Sequence, residues 1–578
     1  MPVKKGIGFI IVFINSGMDL MEMERVLFLA LALTGISLPF SAAAMGDMNF
    51  VRQEQAAQER ERETFRNRLF QDTLKPIETE EKSGEVPPVP SVSFYVKQVV
   101  LDNPSEELSF LDDMASQSTG HHMTAGDVER LVSRMNSKLM DKGYITSRVM
   151  VPEQNLSGGI LRLSVFPGRL GHVRYAEGSE RLPWRNAFPL REGNLLNIRL
   201  LEQGLEQMKR LQSLDVSMKL LPGEGQETDV ELSIRSRKQV WGLISLDDSG
   251  MKETGKYQWT GTLGIDRPTN SNDLLVLSAG LDGSRDGYDR STRDLGLYYS
   301  IPFGKDTFTI RHNRYHYYQI VSSIPYDFNS EGKTRITRFT FDHEISRSAA
   351  EKRDWDITVA KRDSHYYINH MEIPVQAMDT TSLEVGLSDR ICLGNSTLYL
   401  RLAHRQGMGW MGAQKESPYS DGPKTRYKMW LVDMDYKKPF TLGRRPASWS
   451  ASFHGQWNTA GNRLYGVDMV SIGNRYTVWG FDGEYTLMGE SGWYLRNELA
   501  SSIPRLHSEA YVGLDVGAVY GPSTDMLVGR TLSGMALGLR GTFPGGLSYD
   551  GFISRSIYRP EGYHTRRWVP GFTVSWRF

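Results

Sequence analysis

Residue groupings that could support catalysis are sparse in this chain of 578 residues, and those present fail on geometry. The run GMKETGKY (250–257) imitates a phosphate-binding loop, but Tyr257 stands where a magnesium-binding Ser or Thr is required, and a strand pattern follows where a helix is needed. A hairpin turn is expected there instead. His312 and His316 would converge on a metal from one face of a helix, yet on an extended chain they stand roughly 13 Å apart. His121 and His122 have no helical i, i+4 partner and fall in an expected loop, where a solvated pair is the simpler reading. Cys392 is the single cysteine, which excludes an intramolecular disulfide and any multi-cysteine metal site. There is no HExxH, no GxSxG and no cysteine beside a plausible base. The sequence therefore assigns no catalytic, cofactor-binding or metal-binding residue, and an enzyme is not expected.

With chemistry set aside, the informative level is that of the elements. Lys plus Arg and Asp plus Glu balance at 68 each, so the chain lacks the basic field of a nucleic-acid binder. The mean hydropathy of -0.41 suits a soluble protein, but also a β-barrel, which presents only alternate residues to lipid. The run RVLFLALALTGISLPFSAAA (25–44) has a charged start, an apolar centre and small residues at its end, the anatomy of a secretory signal peptide. Residues 1–44 are assigned to it, with Met18, Met21 and Met23 as alternative starts. No later run of about 20 apolar residues occurs, so any membrane crossing in the mature chain must be made by strands.

Residues 45–75 are strong helix formers with a thin apolar stripe, Phe65 and Leu69, among charges on every side; such a helix belongs in water or a polar lumen. Pro76 and VPPVP (86–90) make 76–91 an extended linker. A β-α-β-β pattern then occurs twice, over 92–168 and 169–238. Thr124 caps a helix bearing Val128, Leu131, Val132, Met135 and Leu139 and ending at Gly143. Asn197 opens another, with Leu201, Leu205 and Met208 inward. From residue 239 to the end the period is two, as in Tyr257, Trp259, Leu263 and Ile265 set against Gln258, Thr260 and Thr262. Half-polar strands repeated over this length predict a closed antiparallel transmembrane barrel of about sixteen strands. The chain ends with Phe572, Val574, Trp576 and Phe578 alternating with polar residues, and the terminal aromatic Phe578 is the expected C-terminal barrel signal.

Several stretches together resemble the outer-membrane transporters of two-partner secretion, the hemolysin secretion/activation family, over nearly the whole mature chain. KGYITSRVMVPEQNLSGGILRLSVFPGRL (142–170) is similar to the first of two POTRA domains, and LLEQGLEQMKRLQS (200–213) with LPGEG (221–225) to the second. LISLDDSGMKETGKYQ (243–258) is similar to the start of the family's barrel. RYTVWGFDGEYTLMGESGWYLRNEL (475–499) resembles its large inward-folded loop, and YVGLDVG (511–517) its G-x-D-x-G strand motif. The resemblance implies an N-terminal plug helix, two periplasmic POTRA domains and a barrel in the bacterial outer membrane. It also implies a monomer, in contact with outer-membrane lipid, that binds a secreted exoprotein (a hemolysin, adhesin or contact-dependent toxin) through the POTRA domains and the lumen, with no nucleic acid and no cofactor. An outer-membrane assembly factor, which usually has more POTRA copies, and a porin, in which the α/β tandem would have no role, are the alternatives.

The loop motif departs from the family's Val-Arg-Gly-Phe/Tyr: here it reads Val478, Trp479, Gly480, Phe481. The family arginine bonds the Asp of the strand motif, which here is Gly513, Asp515, Gly517. Trp supplies one N–H and no charge, so a buried Asp515 needs another cation. Either the loop anchor is altered or another cation serves, and Arg475, four residues earlier on an extended segment, is the candidate substitute.

Overall fold

The computed structural model describes residues 48–69, 93–252, 254–283, 290–321, 328–374, 376–417 and 422–578. The expected signal peptide, residues 45–47 and 70–75 of the polar segment, and the linker 76–91 lie outside these residues. The polar helix formers build helix α1 (Met48–Leu69).

Two α/β units follow. In the first, the strand Gln98–Asp102 pairs in parallel with Ile160–Phe166, which pairs antiparallel with Arg148–Met150. Helix α2 (Phe110–Ser116), which the sequence reading missed, and a short pair, Phe94–Val96 with His121–Met123, are added to this unit. Helix α3 (Ala125–Asp141) starts at a reciprocal cap, in which Thr124 Oγ1 accepts from Asp127 N and the Asp127 carboxylate accepts from Thr124 N. Its Val128, Leu131, Met135 and Leu139 are buried on one face against Leu161 and Leu163. Each fully buried side chain of this kind contributes about 1.5–3 kcal/mol. The second unit repeats the order: Arg169–Tyr175 pairs in parallel with Glu227–Ser236, which pairs antiparallel with Leu214–Pro222. Helix α4 (Ile198–Lys209), opened by Asn197, packs Leu201, Leu205 and Met208 into that core.

Sixteen antiparallel strands, from Val240–Asp247 to Val569–Arg577, form the barrel, and the last pairs with the first. The period-two pattern has the expected cause. Along the strand Arg290–Phe303, Leu295 and Leu297 face out, while Asp294, Gly296 and Tyr298 face the lumen beside α1. Lipid-facing leucines and inward charges thus alternate, and closure pairs every strand edge. No described helix is long and apolar enough to cross a membrane. GMKETGKY falls in the turn between the first two barrel strands, where Gly250 N donates to Lys256 O at 3.0 Å.

The second α/β unit sits on the rim formed by the short turns. Ser213 N donates to Asp266 Oδ2 at 2.6 Å, Arg210 to Ser300 Oγ at 2.6 Å, and Asn272 to Pro183 O at 2.7 Å. This rim is the periplasmic end, and the long loops crown the opposite, extracellular end.

Candidate functional site: the loop and helix inside the barrel

The segment between the strands Arg445–Asn458 and Ser491–Ile503 folds inward and carries its own short pair, Val470–Ile472 with Leu487–Gly489. Two apolar clusters hold it. Val478 and Phe481 join Val470, Ile472, Leu487, Tyr494, Val519, Leu532 and Tyr563 in one. Trp479 joins Ala500, Tyr511 and Ala536 of the barrel wall in the other, with its ring edge-on to Phe552 at 4.5 Å. Gly480 has φ +90°, and a side chain there would overlap the backbone of Arg555, so glycine is required on both counts.

The two glycines of the strand motif make room for this loop. A Cβ at Gly513 would stand 2.8 Å from Trp479 Nε1, and one at Gly517 would stand 3.1 Å from Ile472 Cγ2. Between them Asp515 points inward with a fully buried side chain. Its Oδ2 accepts from Trp479 N and from Arg496 Nε, both at 3.2 Å, and its Oδ1 accepts from Asn497 N at 3.2 Å. The cation facing Asp515 is therefore Arg496. Arg475 is instead bonded to Asp248 in the first extracellular turn and lies over the Phe552 ring. The expectation for Arg475 assumed an extended segment, but the chain turns at this point. Thr477 N and Val478 N both donate to Asn474 O, which breaks the alternation of sides.

Arg496 could have been found from register. Counting outward from the turn at Pro504–Leu506, Ile503 faces Ser508, and in the same register Arg496 faces Asp515. The Arg496 guanidinium also lies 4.9 Å from the Trp479 ring centre, a cation–π contact, and donates to Tyr476 O at 3.2 Å. Trp479 stands where the family pattern has an arginine, and Arg496 on the barrel wall supplies the cation that faces the carboxylate.

Helix α1 occupies the lumen and is held by polar groups. Glu54 pairs with Arg362 at 2.8 Å, Glu61 with Arg311 and Arg338, and Glu63 with Arg496 at 3.4 Å. Gln55 donates to Gly466 O and Met469 O of the inward loop, and Arg52 to Glu484 O. Phe65 meets Tyr399 edge-on at 5.9 Å. The acidic residues of α1 thus meet arginines on the strands Asp306–Val321, Phe328–Arg347, Glu351–Ile368 and Ser491–Ile503. Phe578 lies away from the lumen, at the closing seam, where it exchanges backbone hydrogen bonds with Gly242 at 3.0 Å.

The family profile described as "Haemolysin secretion/activation protein ShlB/FhaC/HecB" matches residues 226–541. POTRA profiles match 94–168, in the ShlB-type form, and 169–222. The chain is 36% identical over 480 residues to the outer membrane transporter CdiB-2 of Burkholderia pseudomallei (strain 1026b), covering 82% of each protein. It is 28% identical over 539 residues to the hemolysin transporter protein ShlB of Serratia marcescens, covering 89% of this chain and 91% of that one. Among solved structures, CdiB from Escherichia coli superposes with a TM-score of 0.82 at 25% identity, covering 93% of this chain and all of that one. CdiB from Acinetobacter baumannii superposes with a TM-score of 0.81 at 26% identity, again covering 93% of this chain.

Proposed function

The chain belongs to the haemolysin secretion/activation protein family, outer-membrane transporters of two-partner secretion, and from that premise we propose how its parts divide the work. The tandem α/β units receive an unfolded exoprotein in the periplasm, α1 closes the barrel at rest, and the exoprotein passes through the lumen that α1 vacates. The inward loop stays anchored as the wall of that passage. The protein acts as a monomer and makes or breaks no covalent bond.

The observation that carries this reading is the contrast between the two occupants of the lumen. Helix α1 is held mainly by ion pairs and hydrogen bonds. Those of Glu61 are partly exposed and worth about 0–1 kcal/mol each, Glu54 with Arg362 is buried, and all of these polar groups can be rehydrated once the helix leaves the lumen. The loop is held by two buried apolar clusters and a solvent-excluded carboxylate, none of which water replaces cheaply. One element can leave and the other cannot. In the α/β tandem, sheet edges such as Leu214–Pro222 supply backbone groups to which an extended exoprotein segment can add as a strand. Direction then comes from folding of the exoprotein outside, where buried β-structure opposes return.

The test is secretion of the partner exoprotein, measured with the intact transporter and with residues 91–236 deleted. Deletion should abolish secretion while the barrel remains heat-modifiable on gels and conducts ions. Secretion that persists without these residues would reject their receiving role.

A further inference from the structure

We propose that the extracellular ends of the strands Arg290–Phe303, Asp306–Val321 and Phe328–Arg347 form, on their lipid-facing side, a binding site for the phosphates of outer-leaflet lipopolysaccharide. The proposal rests on the barrel and its orientation, and not on the identity of the exoprotein.

Like charges stand directly opposite one another here. In the register of these strands Arg314 faces Arg335, and Arg293 and Lys333 stand on either side of His316. Side chains directly opposed in antiparallel strands have their Cβ atoms about 4.5–5.5 Å apart, and like charges in such positions repel unless an anion lies between them. Acidic neighbours compensate only part of the cluster. Asp363 is bonded to Arg335 and also approached by His365, and Glu331 pairs with Lys333 at 2.7 Å and His316 at 2.8 Å. Farther round, Lys361 is taken by Asp379, and His365 also by Glu372. Among the described residues, neither Arg314 nor Arg293 has an ion-pair partner, and both are exposed.

The height of the cluster identifies its ligand. On the same outward face, His312, Thr337 and Lys361 come next toward the periplasm, and beyond them Phe308 and Ile310, Phe341 and Phe339, and Ile357 and Val359 on the neighbouring strand form an apolar band. The periplasmic end is fixed by Gly304 N, which donates to Asn186 O of the second α/β unit at 2.7 Å. Arg314 lies four residues past Ile310 toward the opposite end, roughly 13 Å along the strand. With strands tilted as in outer-membrane barrels, that is roughly 10 Å along the membrane normal, on the extracellular side of the apolar band. Tyr367, with Lys333 Nζ 4.7 Å from its ring centre, adds the interfacial aromatic expected at this level. Clustered guanidinium and ammonium groups at that depth match a lipid that carries several phosphates on one headgroup.

The experiment uses the full chain purified in detergent, with bisphosphorylated lipid A added and the bound lipid quantified by mass spectrometry after gel filtration. Arg314→Gln/Arg335→Gln should retain lipid A about tenfold less than the parent protein, and Arg314→Lys/Arg335→Lys should stay within about twofold of it. Lipid A stripped of its phosphates should be retained no better than by the double glutamine variant, and inorganic phosphate should fail to displace the intact lipid. Heat-modifiability confirms that each variant has a closed barrel, and the lysine pair still tests the charge requirement if the glutamine pair does not fold. Equal retention by the glutamine variant would overturn the proposal, as would equal retention of the dephosphorylated lipid. So would displacement by inorganic phosphate, the mark of a general anion site, or loss of secretion with unchanged lipid retention, the mark of an acidic polypeptide contact.

Discussion

At position 515 the barrel wall presents a carboxylate to a space from which solvent is excluded, and its three partners are Arg496, the Trp479 amide and the Asn497 amide. Removing one member of a buried ion pair costs about 3–5 kcal/mol, because the other charge is left uncompensated. Arg496→Gln should therefore lower barrel stability in denaturant by about that amount, while Asp515→Asn/Arg496→Gln should recover much of the loss. Arg475→Gln should leave the Asp515 pair intact, and equal damage from both single arginine variants would refute this assignment. Trp479→Arg would restore the residue that the resemblance implies, but the second guanidinium would stand against Arg496, whose charge already lies over the indole. Trp479→Arg should reduce secretion severalfold, and adding Arg496→Gln should restore it, as read by exoprotein in the culture medium. Arg496 was legible in the strand register, because hairpin pairing is counted from a turn. The fit of Trp479 against Gly513 was not, because it depends on where an inward loop meets the wall, which no local pattern encodes.

Among the elements, the junction between α4 and the barrel rim is held by charge. Glu206 of α4 meets Lys352 at 3.0 Å and is also bonded to Arg347. Burial alone would raise its pKa, but the Lys352 ammonium and the Arg347 guanidinium outweigh burial and hold it at about 2, below its ordinary 4.5. A depressed carboxyl stabilises docking fully above its free value and loses that contribution as pH falls toward its docked value. The second α/β unit should therefore loosen from the rim between about pH 4.5 and 2. Spin-label distances across the junction would register this, and Glu206→Gln should weaken docking at neutral pH and flatten the profile. A second element-scale prediction concerns α1: deleting residues 48–69 should raise single-channel conductance severalfold, and high salt should favour opening in the parent protein because screening weakens the ion pairs that hold the helix. The α/β tandem was legible because Thr124 and Asn197 announce their helices and the apolar spacing persists for several turns. Helix α2 was missed because its two turns carry only Leu111 and Ala115 as fully buried residues, and Ser109 makes no side-chain cap hydrogen bond.

For the whole molecule, everything depends on closure, and closure is thinnest where the chain's end meets its first barrel strand. The seam has five residue pairs, from Thr573 opposite Asp247 to Arg577 opposite Leu243, whereas the neighbouring pairing of Gln258–Asp266 with Val240–Asp247 has eight. Phe578 lengthens this short ladder by exchanging backbone hydrogen bonds with Gly242, and its ring lies in the hollow that the missing Gly242 side chain leaves. The ring is still 61% exposed, because its outer face meets lipid, and it touches Trp576 at 5.0 Å between centres. The terminal aromatic was legible as the end of an alternating strand, but its partner glycine was not, since the two are joined only when the ring of strands closes. If ring packing into that hollow secures the seam, Gly242→Val should sharply reduce the heat-modifiable species on semi-native gels by displacing the Phe578 ring. Phe578→Ala should cost less, up to about the 1.5–3 kcal/mol of a buried aromatic, since the backbone bonds remain. The combination Gly242→Val/Phe578→Ala should then close better than Gly242→Val alone, because the new side chain fills the space the ring has left. A double variant no better than the single one would mean that the backbone ladder holds the seam without help from the ring.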